Sequence, residues 1–177
     1  MKHKFALPLL LCLLVGLSAT VAGAQQKRAI AFDDLASFDR ISEPAISPDG
    51  RWVAYTLAQP DLAANRFSQN VWIVSALGDS GPRQITSTGS NSRPQWSPDS
   101  NKLAFLSDRG GAAQVYVLTM AGGEAQPVTH LSTGADNESW SPDGQSIAFT
   151  SGVYPDCSDD ACNRRRGPND GRSASPG

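Results

Sequence analysis

The sequence has 177 residues, with 15 Lys and Arg against 17 Asp and Glu for a formal net charge of −2. A charge this near balance gives no electrostatic case for nucleic acid as a partner. Short runs of β-branched and aromatic residues, separated by Ser, Pro, Gly, Asp and Asn, indicate an all-β chain.

At the N-terminus, Lys2, His3 and Lys4 precede an apolar run from Phe5 through Val15, which passes into small residues ending Val21-Ala22-Gly23-Ala24. A basic start, a short apolar stretch and an Ala-x-Ala site, here Ala22 and Ala24, are the layout of a cleaved secretory signal peptide. Cleavage after Ala24 makes Gln25 the mature N-terminus. Pro8, Gly16 and Ser18 interrupt the run, so a retained membrane span is the weaker reading. The expected product is periplasmic or secreted and free of the membrane after processing. Cys12 falls inside this segment as an apolar residue. Removing 24 residues from 177 leaves 153, enough for about one ordinary domain. Residues 25–40 read as a lead segment.

A repeat begins at residue 41. Ser-Glu-Pro-Ala-Ile-Ser-Pro-Asp-Gly from Ser42, Ser-Arg-Pro-Gln-Trp-Ser-Pro-Asp-Ser from Ser92 and Asn-Glu-Ser-Trp-Ser-Pro-Asp-Gly from Asn137 share one pattern. Its core starts at Ser47, Ser97 and Ser141, 50 and then 44 residues apart. That period is close to the ~40 to 45 residues of a four-stranded propeller blade. In each copy an apolar residue (Ile46, Trp96, Trp140) ends one strand. Pro48, Pro98 and Pro142 pre-set φ for the turn, and Asp49, Asp99 and Asp143 cap it. Gly50 and Gly144 suit a positive φ, with Ser100 as the exception in the middle copy. An alternating strand then returns through Val53-Ala54-Tyr55, Leu103-Ala104-Phe105 and Ile147-Ala148-Phe149.

A second motif keeps step with the first. Val71-Trp72-Ile73-Val74 with Gln84-Ile85-Thr86 matches Val115-Tyr116-Val117-Leu118 with Pro127-Val128-Thr129, and Val71 and Val115 are 44 residues apart. One Ser-Pro-Asp-Gly would mark only a turn. Three in step with a second motif predict an all-β partial β-propeller of about two and a half four-stranded blades over residues 41–163. Such units bury their faces only against neighbours, so unpaired blade edges carry a tendency to self-association.

Past the repeats, Cys157 and Cys162 form an even pair in an exported chain, which reads first as a local disulfide. A two-Cys metal site is the poorer alternative, since His130 is the one histidine left after processing and structural zinc wants four ligands. Arg164, Arg165 and Arg166 sit close to Asp159, Asp160 and Asp170 and read as a solvated charge run. Residues 164–177 have no apolar periodicity and are expected to be a disordered tail. No cofactor is expected.

Three stretches resemble one family: Phe32-Asp33-Asp34-Leu35 through Ser42-Glu43-Pro44 to Tyr55, Leu106-Ser107-Asp108-Arg109-Gly110-Gly111 to Tyr116, and Tyr154-Pro155-Asp156-Cys157 to Cys162-Asn163. They resemble the TolB-like or WD-type propeller of secreted prolyl oligopeptidase family serine peptidases of the dipeptidyl and acylaminoacyl type. The resemblance implies a substrate-gating propeller for peptides, with the chemistry in a separate α/β-hydrolase domain carrying a Gly-x-Ser-x-Gly elbow. Gly171-Arg172-Ser173-Ala174-Ser175 lacks the last Gly of that elbow, and His130 precedes Ser173, the wrong order for the triad of that fold. The sequence therefore reads as a truncated propeller fragment without catalytic, cofactor or metal residues of its own. Arg109 reads as a hairpin residue and His130 as a turn residue. The alternative resemblance is to the periplasmic propeller of the Tol system, a protein-binding module; the short lead before the first repeat favours the peptidases.

Overall fold

A computed structural model describes residues 28–166; the expected signal peptide with Ala22 and Ala24, and the segment from residue 167 with Ser173, lie outside the described residues. The chain divides ahead of Phe32, and the blades belong to the second unit. That unit opens with a short helix, α1 (Phe32–Ala36), in the lead segment.

Two four-stranded antiparallel sheets and one hairpin follow. Blade 1 is β1 (Arg40–Ile46), β2 (Trp52–Asp61), β3 (Arg66–Ser75) and β4 (Arg83–Gln84), paired in chain order. Blade 2 repeats this with β5 (Asn91–Trp96), β6 (Lys102–Ser107), β7 (Gln114–Thr119) and β8 (Gln126–Pro127). The third unit is the pair β9 (Asp136–Trp140) and β10 (Ile147–Thr150). The segment from Val71 to Phe149 contains no helix. The architecture is a partial β-propeller.

Burial explains why each strand has its composition. Leu103, Ala104, Phe105 and Leu106 of β6 are all buried, because blade 2 has a sheet on each side. Leu103 and Phe105 join Trp96, Tyr116 and, from blade 1, Ala54, Val71 and Ile73 in one core. Ala104, Leu106, Val115 and Ala135 form a second, against which Trp140 and Ile147 pack. Fully burying a Leu or Phe side chain contributes roughly 1.5–3 kcal/mol, so the blades hold each other through these two layers.

The Ser-Pro-Asp turns are hydrogen-bonded alike. Ser47 Oγ donates to Asp49 Oδ1 (2.6 Å) and accepts from Trp52 N (2.9 Å), while Asp49 Oδ1 accepts from Arg51 N (3.1 Å). The same bonds recur from Ser97 to Asp99 and Lys102, and from Ser141 to Asp143 and Ser146. Gly50, Ser100 and Gly144 hold φ of 70°, 60° and 68°. Ser100 gives up the glycine's freedom but gains a contact between blades, its Oγ accepting from Asp49 N at 3.1 Å. At Gly89 (φ 73°) a Cβ would stand 2.8 Å from the backbone N of Arg109, so the connector into blade 2 admits no side chain there.

Thr86 and Thr129, one residue past the matched Ile85 and Val128, close their blades: Thr86 Oγ1 accepts from Val71 N and Thr129 Oγ1 from Val115 N, both at 2.9 Å. Arg109 lies in the β6–β7 hairpin connection, as the sequence suggests, and is partly buried there by stacking. Its guanidinium lies 4.5 Å from the Tyr116 ring centroid and donates to Ser107 and Asn91.

Beyond β10 the chain folds back on the connector between blade 2 and the third unit. The Sγ atoms of Cys157 and Cys162 are at bonding distance, 2.05 Å. Asp160 accepts from Ser132 N (2.8 Å) and Ser132 Oγ (2.6 Å), and the buried Asn163 accepts from Tyr154 N. One boundary needs correction: Arg164, Arg165 and Arg166, read from sequence as the start of a disordered tail, complete a helix, α2 (Asp160–Arg166). Arg164 pairs with Asp160 one turn back at 3.0 Å, and Arg166 pairs with Asp156 and lies over the Tyr154 ring. These neighbours, four residues apart or brought near by the cysteine loop, give the arginines helical partners that a count of charges does not show.

Candidate functional site at the first strands

The first strands β1, β5 and β9 are in contact with one another in series, each at the edge of its sheet. Each carries a bulge at the same repeat position. Two residues, Glu43 and Pro44, oppose the single Tyr55 between the pairs Ser42–Thr56 and Ala45–Ala54; Arg93 and Pro94 oppose Phe105 in the same way, and Asn137 and Glu138 oppose Phe149. Glu43, Arg93 and Asn137 have φ of 54°, 54° and 52°, an uncommon state for residues with a Cβ. Bulges of this kind re-aim side chains, and here they bring three polar groups to one place.

Arg93 is the centre of that group. Its backbone N donates to Glu43 Oε2 (2.8 Å), which also accepts from Thr56 Oγ1 (2.7 Å). Its Nη1 lies 3.1 Å from Asp136 Oδ1 and donates to Asn137 Oδ1 at 2.6 Å, and its Nε is 3.8 Å from Glu43 Oε1. Arg93 thus spans all three blades. The side chains of Arg93, Glu43 and Asp136 are 41%, 39% and 55% exposed, so each ion pair contributes about 0–1 kcal/mol and the site stays open to a ligand. Beside it is a cavity of about 500 Å³ lined by Ser92, Arg93, Leu106, Thr133, Asp136 and Ser151 among others.

Glu138 differs from its neighbours. It is 5% exposed, and neither carboxylate oxygen has a hydrogen-bond partner. Burial pushes its pKa up to about 7; its own backbone amide and then Arg93 pull it down, and Asp136 and Glu43 push it further up.

The repeat-turn residues Pro48, Asp49, Gly50, Pro98, Asp99, Pro142, Asp143 and Gly144 follow the bulged strands, in the turns between first and second strands, and their side-chain bonds are internal to the turns or between blades. His130 is exposed and borders a cavity shared with Tyr116, Ser132 and Arg164. The neighbouring hydroxyl, Ser132 Oγ, donates to Asp160, which is the wrong bonding for a nucleophile served by a histidine base. Among the described residues no group of three His, Cys, Asp or Glu is placed to hold a metal ion. The arrangement at the bulges is thus a set of paired polar groups beside an open cavity. Sequence reading missed Glu43, Arg93, Asn137 and Glu138 as a set. The visible signal was Glu138, an acid where the other copies place Pro44 and Pro94.

Comparison with known proteins places this geometry. A family model described as the TolB beta propeller domain matches residues 25–156. An uncharacterized peptidase of Bacillus subtilis (strain 168), YuxL, is 35% identical over 125 residues, 70% of this chain and 19% of that one. Dipeptidyl-peptidase 5 of Porphyromonas gingivalis is 31% identical over 118 residues, 66% of this chain and 17% of that one. Among solved structures, the β-propeller domain of the Trilobed protease from Pyrococcus furiosus, described as having an open velcro topology, superposes with a TM-score of 0.54 at 21% identity, covering 64% of this chain and 34% of that one. The chain spans about a fifth of the length of the curated relatives it matches. With the repeats, the stacked sheets and these likenesses together, the chain belongs to the TolB β-propeller domain family.

Proposed function

We propose that these blades are the opening part of a propeller that admits and orients peptides above the α/β-hydrolase domain of a secreted prolyl oligopeptidase family serine peptidase. The observation that carries the reading is the 35% identity, over 70% of this chain, to a protein named a peptidase, in a region that is itself propeller. The polar bulge cluster around Arg93, with its adjoining cavity, is the surface on which a peptide's carbonyls and amides would be read. In this reading a leader ending at Ala24 is removed, the propeller portion runs over residues 41–163, and a Cys157–Cys162 disulfide closes the loop that leads into α2, which Asp160 ties to Ser132. In this reading the blades bind and orient, and hydrolysis belongs to the α/β-hydrolase domain.

A chimera tests the gating role. Residues 41–151 replace the matching blades of the Bacillus subtilis relative, and hydrolysis of short and long peptides is compared with that of the parent. A folded chimera that cleaves short peptides and discriminates against long ones supports the reading. One that folds and has lost that discrimination overturns it. Turnover of aminoacyl or prolyl peptides by the purified chain, abolished by Ser173→Ala or His130→Ala, would overturn this division of roles.

A second reading, compatible with the family description, is a periplasmic TolB-like propeller acting as a protein-binding module. Stable capture of an envelope protein by the purified chain, with no effect of the blades on peptide selectivity in the chimera, would select it.

A further inference from the structure

Glu138 has no role in the reading above, and its placement is unlike that of any other acid in the blades. In blades 1 and 2 the register position of Glu138 is held by Pro44 and Pro94, residues that bring no charge; Pro94 is fully buried between its blade and the preceding one. Glu138 occupies the same layer one blade further on. It lies two residues from Trp140 and so on the same side of β9, the side from which the Trp140 indole donates to Gln95 O of β5 at 3.0 Å. The carboxylate is therefore enclosed at the contact between the third unit and blade 2, with both oxygens unpartnered.

We propose that Glu138 makes this blade contact acid-dependent: protonated, it is an uncharged filler equivalent to the prolines, and ionised, it draws Arg93 away from Glu43 and Asp136 and loosens the third unit from blade 2. Every charged group facing it supports a two-state competition. Arg93 of β5 is the cation, already shared with Glu43 of β1 and with Asp136 and Asn137 of β9 itself. Of the other strands packed on β9, β6 brings only Lys102, at the end beside the turns; β7 brings Tyr116, and β10 brings no titratable side chain. Thus one guanidinium serves three carboxylates once Glu138 ionises, and an unpaired charge at a buried position is costly.

The direction with pH follows from linkage. The folded-state pKa is raised from 4.5 to about 7, so the folded chain binds this proton more tightly than the unfolded chain does. The contribution is fully present below pH 4.5 and is lost as pH rises to about 7, a fall on the order of tens of fold in the folded-to-unfolded ratio between pH 5 and pH 8.

The test is urea unfolding of the full chain at pH 5 and pH 8, with Trp emission as the readout, for the native sequence, Glu138→Gln and His130→Gln. Histidine ordinarily titrates in the same window, which makes the third protein the control. The proposal expects stability to fall toward pH 8 in the native chain and in His130→Gln, and the fall to vanish in Glu138→Gln. A fall that survives in Glu138→Gln, or its absence in the native chain, overturns it. If Glu138→Gln does not fold, Arg93→Gln decides: losing the cation should move the pH transition upward, and an unmoved transition overturns the proposal.

Discussion

Blade 2 and the two-stranded third unit share a sequence pattern and differ in what surrounds it. Phe105 and Phe149 hold the same repeat position, opposite the bulge, yet Phe105 is fully buried while Phe149 is 41% exposed. Phe105 has the Tyr116 ring of β7 beside it, centroids 6.0 Å apart, and blade 1 across from it. Phe149 faces an open groove of about 430 Å³, which it lines with Val117, Val128 and Trp140. Among the described residues β10 pairs only with β9. A blade's core is thus made by its neighbours, and the same residue contributes according to how many it has.

The largest expected consequence is for that pair of phenylalanines. Phe105→Ala should destabilise by about 3–5 kcal/mol, because it empties a closed layer. Phe149→Ala should cost about 1 kcal/mol, as for a half-exposed site. Urea unfolding of both gives the numbers; equal losses would remove the neighbour argument.

The indole bonds between blades form the next contrast. Trp96 Nε1 donates to Ala45 O and Trp140 Nε1 to Gln95 O, both at 3.0 Å, so one device joins blade 1 to 2 and blade 2 to the third unit. Trp96→Phe leaves a carbonyl unpaired at a more buried site and should cost about 1–3 kcal/mol, with Trp140→Phe below it. In blade 1 the equivalent residue is Ile46, 69% exposed, which has no indole and no blade beside it among the described residues.

The smallest effect concerns the turns, where the three units are alike. Bonds from Ser47, Ser97 and Ser141 hold the carboxyls of Asp49, Asp99 and Asp143 below the usual aspartate value. A depressed acid contributes stability above its unfolded pKa of 3.8 and loses it as pH falls through the folded value. Acid unfolding below pH 4 should therefore be less steep when all three aspartates are changed to Asn. An unchanged acid limb would show the turns to be indifferent to this charge.

The repeat was legible because turns write themselves in a few residue types: Ser, Pro, Asp and a residue at positive φ must recur wherever that hairpin recurs. The strand alternation and the matched Thr86 and Thr129 followed from the same period. The bulges were not legible, since Glu43, Arg93 and Asn137 share a backbone state and no side-chain chemistry, and none is a glycine. Nor was α2, whose Arg164 pairs with Asp160 one turn back only once the helix forms and whose Arg166 meets Asp156 only once the cysteine loop brings it near.

Hydrogen exchange of the full chain, read by peptide mass spectrometry, tests the central claim that each blade is stabilised by its neighbours. The account predicts the strongest protection in β6 and β7, less in β2 and β3, and least in β10. Protection in β10 equal to that in β6 would contradict it.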